Sequence, residues 1–137
     1  MSYIKIRFGN KFDHRKCHSE KSIDEMFQAM NPMFRMGAAS WKPMVDIFET
    51  KTEVVIQVTM AGVDKENLQI EISEKAVRIY GERTGNPQNE KATYRLAEIQ
   101  YGRFERVLFL PCIIDTDKVS ASYENGFLQV SLAKAPE

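Results

Sequence analysis

Two histidines and a cysteine lie close together near the start of the chain, and their types are the ones best suited to metal chemistry. His14, Cys17 and His18 fall within five residues, and imidazole and thiolate groups are ligands that zinc prefers. A tetrahedral structural zinc site needs a fourth ligand, and the sequence contains no Cys-x-x-Cys pair to supply it. The sequence favours a polar segment without metal here, and it leaves metal binding by these three residues open.

Catalytic constellations are missing from the rest of the sequence. It contains no Gly-rich phosphate loop and no serine in a Gly-x-Ser-x-Gly motif, and its carboxylates are scattered over strand faces and turns. Cys112 follows a proline at the end of an apolar run, so we expect a small buried side chain rather than a reactive thiol. We therefore expect a protein that is not an enzyme and that uses no cofactor.

The composition limits the remaining classes of function. The 137 residues include 19 Lys+Arg and 19 Asp+Glu, whereas a domain that wraps nucleic acid usually has a basic excess. No apolar run approaches the ~18 residues of a membrane helix, and the first residues lack the pattern of a secretory signal. Two cysteines are not a disulfide framework. We expect one globular domain in a reducing cytoplasm, without a nucleic-acid partner or a membrane span.

The chain divides into an N-terminal arm, residues 1–40, and a strand-rich part that begins at Trp41. Residues 3–8 alternate weakly and could form a short strand, and residues 9–21 are polar and are predicted to be irregular. Residues 22–25 read Ser-Ile-Asp-Glu, a capping-box pattern, with apolar residues at helical spacing after it and an Asn-Pro pair to end it. The arm is therefore predicted to contain one short helix whose apolar stripe must pack against another surface.

From Met44 onward the hydrophobic period is two, which is typical of half-buried strands. The clearest alternation runs from residue 53 to residue 60. Asn125-Gly126 is the strongest hairpin signal, because a type I′ turn needs positive φ at both of its central positions. Seven or eight short strands at this spacing predict an all-β, immunoglobulin-like antiparallel sandwich over residues 41–134, followed by a C-terminal stub, residues 135–137.

Methionine and phenylalanine are concentrated in the N-terminal arm. Methionine is unbranched and polarizable, so a set of such side chains can contact many apolar surfaces without a fixed shape. A helix that packs onto its own sandwich would explain the same set. The residues concerned are Met26, Phe27, Met30, Met33 and Phe34.

Several short motifs occur in an order that resembles the small heat-shock protein (α-crystallin) family. The most specific is Ala-Ser-Tyr-Glu-Asn-Gly-Phe-Leu, similar to the family's hallmark of Ala, three residues, Asn-Gly, an apolar residue and Leu. The sequence departs from the pattern at Ala61, where proline is usual, and at Ile99, where an arginine is usual. Each motif alone is weak, whereas several in register make a specific match. The matching segments are residues 45–49, 61–63, 77–83, 101–106, 110–111 and 121–128.

This resemblance implies an ATP-independent holdase, a chaperone that captures unfolding proteins and delays their aggregation. Such capture needs adaptable apolar contacts, and the methionine and phenylalanine side chains of the arm would supply them. The alternative is a co-chaperone or scaffold of related fold, like the CS-domain proteins, which docks one folded partner.

The resemblance also implies a homodimer. In bacterial and plant members the connection that corresponds to residues 82–100 carries a short strand, which pairs with the edge of the partner's sandwich. Tyr94 and Leu96 would lie in that strand. Arg106 would meet an acidic group from the partner's loop, for which Glu98 is the matching candidate. We expect these four residues at the dimer interface, from which a larger oligomer could be built.

In the family, a C-terminal Ile-x-Ile tail docks in a hydrophobic groove between two strands. No Ile-x-Ile follows Lys134 in this sequence, so we expect another occupant. Residues 4–6 read Ile-Lys-Ile, and alternate residues of an extended segment point to one side. We therefore predict that Ile4 and Ile6 dock in the groove, the alternative being a frayed terminus. The implied groove residues are Leu68, Ile70, Val119 and Ala121.

Overall fold

The structure, a computed structural model, describes residues 2–7, 13–18, 41–85 and 92–136. Within these ranges the backbone consists of β-strands, connecting loops and one 3-10 turn, Lys65–Asn67. None of the helices in these ranges is long and apolar enough to cross a membrane. The strands are β1 (Ser2–Arg7), β2 (Asp13–His18), β3 (Val45–Glu49), β4 (Glu53–Thr59), β5 (Leu68–Ile72), β6 (Ala76–Arg83), β7 (Gly102–Phe109), β8 (Ile114–Glu124) and β9 (Phe127–Lys134).

The strands form two antiparallel sheets, which share one core. One sheet has the order β2-β1-β5-β6-β7 and the other the order β3-β4-β9-β8. Alternate side chains of strands from both sheets enter a single buried cluster, such as Ile56 from β4, Ile79 from β6 and Val130 from β9. Period-two strands bury one face because successive side chains point to opposite sides of a sheet. The predicted all-β antiparallel sandwich is confirmed.

Two glycines are required by the local backbone. The β8–β9 hairpin turns at Asn125 and Gly126, whose φ angles are 53° and 81°, as a type I′ turn demands. Gly81 lies on β6, where an added Cβ would come 1.9 Å from the carbonyl oxygen of Asn67. This contact leaves no room for a larger residue, so the glycine of the Gly-Glu-Arg motif permits the chain before β5 to cross closely over β6.

The N-terminal arm begins with a β-hairpin rather than with a strand and an irregular segment. β1 pairs antiparallel with β2 along its whole length and, on its other side, with β5. The prediction of irregular structure over residues 9–21 is therefore wrong for β2, because strand pairing rather than hydrophobic alternation holds these polar residues extended. The helix predicted from Ser22 lies outside the described residues.

The predicted division into residues 1–40, 41–134 and 135–137 stays a prediction. β1 and β2 lie within the first of these segments but extend a sheet of the sandwich.

Candidate functional site: the groove, the polar face and the free edge

The residues predicted to line and fill the groove belong to one apolar cluster. Leu68 and Ile70 on β5 are fully buried. Val119 and Ala121 on β8 are half-buried and pack against the same cluster. The two isoleucines predicted to fill the groove lie on β1 and belong to the same cluster. Ile4 is 2% exposed and Ile6 is fully buried.

Main-chain pairing holds β1 in this place. Ile4 lies opposite Ile72 and Ile6 opposite Ile70, in an antiparallel ladder. The middle residue, Lys5, lies opposite Glu71, and its Nζ is 3.9 Å from the Glu71 Oε2. Alternation along β1 thus directs both isoleucines to the core and the lysine to the outer face of the sheet. This arrangement is compatible with the docking prediction. The sequence did not indicate that the docked strand pairs with β5 of its own chain.

The outer face of the five-stranded sheet carries a row of charges that sequence reasoning missed. Arg78 on β6 donates from Nε to Glu105 Oε2 at 2.7 Å and from Nη1 to Glu71 Oε1 at 3.2 Å. The hydroxyl of Tyr80 donates to Gln69 Oε1 at 2.7 Å. The only sequence signal for this row is the alternation of polar residues along β5, β6 and β7, which does not reveal which residues lie opposite each other.

Burial makes this ionic row electrostatically strong. Glu71 and Glu105 are both buried, although they lie on the outer face. Burial alone would lower the pKa of Arg78. However, the hydrogen bond that Arg78 donates to Glu105 and the charges of both carboxylates outweigh it and raise the pKa of Arg78 above its usual value. Arg78 therefore stays charged. Its ion pairs link β5, β6 and β7 and stabilise the sheet rather than forming an acid–base site.

Trp41 connects the start of the sandwich to β7. Its indole Nε1 donates to the carbonyl oxygen of Gly102 at 3.0 Å, and its ring centroid is 5.1 Å from that of Phe104. On β6, the guanidinium carbon of Arg83 lies 4.4 Å from the centre of the indole ring. Trp41 is buried, and its contacts fix the start of the described segment 41–85 against β7.

The predicted dimer residues lie on and beside the connection between β6 and β7. Tyr94 and Leu96 are 61% and 75% exposed, and Glu98 is also exposed. Arg106 is half-buried and donates from Nη1 to the carbonyl oxygen of Pro43 at 3.0 Å. Within the described residues Arg106 and Glu98 form no ion pair with each other. The dimer contact stays a prediction.

Other predicted residues lie outside what the structure describes. The backbone of His14, Cys17 and His18 belongs to β2, but the structure does not describe these side chains, and metal binding stays open. Cys112 is half-buried and makes no disulfide. The arm set of Met26, Phe27, Met30, Met33 and Phe34 lies wholly outside the described residues.

The two-sheet sandwich, with its Asn-Gly hairpin and Gly-Glu-Arg strand, is an α-crystallin type of domain. Residues 46–137 match the family model described as the Hsp20/alpha crystallin family. The chain therefore belongs to the Hsp20/alpha-crystallin family, the small heat-shock proteins, which are stress-response chaperones. The family resemblance seen in the sequence is confirmed.

Relatives in bacteria and fungi support this assignment. The chain is 34% identical over 94 residues to heat shock protein 16 of Schizosaccharomyces pombe, covering 67% of this chain and 66% of the relative. It is 30% identical over 148 aligned residues to spore protein SP21 of Stigmatella aurantiaca, covering 100% of this chain and 88% of the relative.

Solved structures have the same sandwich. The hspA protein of Xanthomonas axonopodis is 31% identical, with a TM-score of 0.64 over 72% of this chain and 98% of the other. A small heat-shock protein from Xylella fastidiosa, described as having a distinct high order structure, is 28% identical. Its TM-score is 0.64 over 72% of this chain and 91% of the other.

Proposed function

We propose that the protein is an ATP-independent holdase, which binds unfolding proteins and prevents their aggregation. The observation that carries the proposal is the match of residues 46–137 to the small heat-shock family on a sandwich with large apolar side chains at its surface. Met44 and Leu96 are 79% and 75% exposed. Each such side chain can exchange water for the apolar surface of a client at roughly 25 cal/mol per Å². Such binding requires neither nucleotide nor catalysis.

The client site proposed here is the methionine and phenylalanine set of the arm. Adaptable side chains suit clients of varied shape, because methionine can follow an irregular apolar surface. The residues proposed to contact clients are Met26, Phe27, Met30, Met33 and Phe34, on the short helix predicted from Ser22 and just after it.

The test is suppression of aggregation of a heat-labile client, followed by light scattering without ATP. Removing residues 1–40 would also remove β1, which pairs with β5, and would confuse client binding with damage to the sheet. We would therefore replace the five arm residues by serine in the full chain. We expect the chaperone-to-client ratio needed for suppression to rise by more than about tenfold, since each lost contact contributes up to ~1.5–3 kcal/mol.

A matched control replaces exposed apolar residues of the sandwich that have no assigned role. Phe127 and Ile113 are about half exposed on the sandwich, and Phe127→Ser with Ile113→Ser should change suppression far less than the five arm replacements. Equal suppression by the arm variant and the wild type would show that the arm is not the main site. No suppression by the wild type at equimolar protein would favour the alternative, a scaffold of the CS-domain kind that docks one folded partner.

The groove proposal concerns Ile4 and Ile6. We propose that they occupy the groove lined by Leu68, Ile70, Val119 and Ala121, in the place where other family members bind an Ile-x-Ile tail. Their burial and the pairing of β1 with β5 support this proposal. Occupation by the protein's own strand would keep an apolar patch out of water.

The assembly proposed is a homodimer formed by strand exchange, with larger oligomers built from it. Residues 92–100 are exposed and carry no strand in the described structure, while β3 ends its sheet with one side unpaired. An unpaired strand edge is a template for another chain. We propose that Tyr94 and Leu96 pair with β3 of a second copy and that Glu98 meets Arg106 there. A cytoplasmic location stays a prediction.

A further inference from the structure

We propose that Arg83 is a positioning residue for the connection between β6 and β7, and that the indole ring of Trp41 keeps Arg83 in place. The inference rests on the proposed dimer, because this connection carries the segment proposed for exchange. It assigns a role to a tryptophan–arginine pair that the holdase proposal does not use.

Trp41 offers Arg83 a fixed aromatic surface. The main-chain nitrogen of Trp41 donates to Arg103 at 3.3 Å, and the indole Nε1 donates to Gly102 at 3.0 Å. The ring also packs against Phe104 with an interplanar angle of 54°. Two contacts of the ring itself and one of its main chain thus join Trp41 to β7, and the ring face beside β6 cannot turn away without breaking the two ring contacts.

Arg83 uses this ring face to reach the connection. Its guanidinium carbon lies 4.4 Å from the indole centre, a distance at which cation–π attraction acts. Its Nη1 donates to the carbonyl oxygen of Gln100 at 2.8 Å. Its Nε is buried and has no hydrogen-bond partner within the described part of the chain. A buried donor of this kind needs compensation, and the electron-rich ring face supplies it.

The held residue lies where the connection returns to the sandwich. Gln100 comes two residues before β7 begins, and residues 92–101 are all exposed. A cavity of about 660 Å³ lies here, lined by Trp41, Arg83, Ile99, Tyr101 and Met44 among others. Because Gln100 is held, the segment that contains Leu96 and Tyr94 projects from the sandwich in a restricted direction. A pre-directed segment loses less conformational freedom when it pairs with a second copy.

The test compares Arg83→Met, Arg83→Lys and the surface control Lys65→Met in the full chain. Trypsin cleavage after Arg95 reports the freedom of the connection, and cleavage after Lys51, in the β3–β4 turn, reports general loosening in the same molecule. We expect cleavage after Arg95 to quicken about tenfold in Arg83→Met, with no change after Lys51. Arg83→Lys should be intermediate, since an ammonium group cannot lie on the ring and reach Gln100 in the same way.

Two further measurements link the pair to assembly. Trp41 is the single tryptophan, so its fluorescence should become more accessible to acrylamide in Arg83→Met but not in Lys65→Met. The dimer dissociation constant from sedimentation should rise by about tenfold, or ~1.4 kcal/mol. Adding Arg83→Met to Trp41→Phe should raise the dimer dissociation constant little further, because Arg83 has then already lost the indole ring that holds it.

Unchanged cleavage after Arg95 in Arg83→Met would overturn the inference, and so would equal acceleration at Arg95 and Lys51. A wild-type protein that remains monomeric would refute the strand-exchange dimer instead, and the cleavage and fluorescence results would still decide whether Arg83 positions the connection. Faster cleavage after Arg95 with an unchanged dimer dissociation constant would overturn the proposed link between Arg83 and dimer formation.

Discussion

Arg78 shows how a single residue holds neighbouring strands together. It lies between Glu71 on β5 and Glu105 on β7, and both carboxylates are buried. An isolated buried carboxylate is unfavourable, because desolvation is not offset by a partner. The sheet therefore depends on the guanidinium group more than on any exposed ion pair. Lys5 extends the same row to β1, at 3.9 Å from Glu71.

We predict that Arg78→Met lowers the free energy of unfolding by about 3–5 kcal/mol, since it removes the guanidinium group that pairs with both buried carboxylates. The control is Lys134→Met, because Lys134 pairs with the largely exposed Glu49 at 2.9 Å and such a pair contributes only about 0–1 kcal/mol. Urea denaturation of both variants measures the difference. A loss no larger than that of the control would mean that Glu71 and Glu105 are hydrated.

At the scale of the element, β1 determines which strand lies at the edge of the five-stranded sheet, because it lies between β5 and β2. It inserts two buried isoleucines beside β5, so that β2 is the outermost strand of this sheet among the described residues. The edge strand is rich in charged and polar residues, Asp-His-Arg-Lys-Cys-His. Charged side chains on an edge discourage pairing with other chains. β1 therefore covers the apolar strand β5, and the strand that follows it at the edge of the described sheet is polar in sequence.

We predict that Ile4→Ser with Ile6→Ser releases β1 from β5 and changes the assembly size. Each isoleucine contributes up to about 1.5–3 kcal/mol through burial, so the pair should decide whether the strand stays bound. Hydrogen exchange of residues 68–72 and light-scattering mass are the measurements. Lys5→Ser, on the opposite face of the same strand, is the control and should change both far less, because it removes only the long 3.9 Å ion pair with Glu71 and no buried apolar side chain. Unchanged protection in the double variant would refute docking of these isoleucines.

The sequence predicts those elements whose signals are local. β4 and β5 follow directly from period-two alternation, and the β8–β9 turn follows from Asn125-Gly126. β2 could not be predicted in this way, because its residues are polar and its extended form depends on pairing with β1. The Arg78 row was missed for a related reason: polar alternation indicates an exposed face, but only strand register places Glu71 and Glu105 beside one arginine.

At the scale of the whole molecule, two apolar features lie without a partner among the described residues. One is the outer edge of β3, where Ile47 and Phe48 are exposed. The other is the connection between β6 and β7, with Tyr94 and Leu96. A strand edge and an extended apolar segment are complementary, since main-chain pairing gives affinity and alternate side chains give specificity. In a two-fold symmetric dimer, the connection of each copy would pair with β3 of the other copy, so both features would be covered in both copies.

We predict that deleting residues 86–97 converts the proposed dimer to a monomer, because the deletion removes the segment proposed to pair with β3 of the second copy. A shortened connection could itself strain the fold, so a second variant replaces the same residues by a Gly-Ser linker of equal length. Both should sediment as monomers, and the linker variant should unfold at the same urea concentration as the dissociated wild type. Lys51→Met, in the β3–β4 turn, should remain dimeric. If the linker variant still sediments as a dimer, the contact between copies lies elsewhere on the molecule.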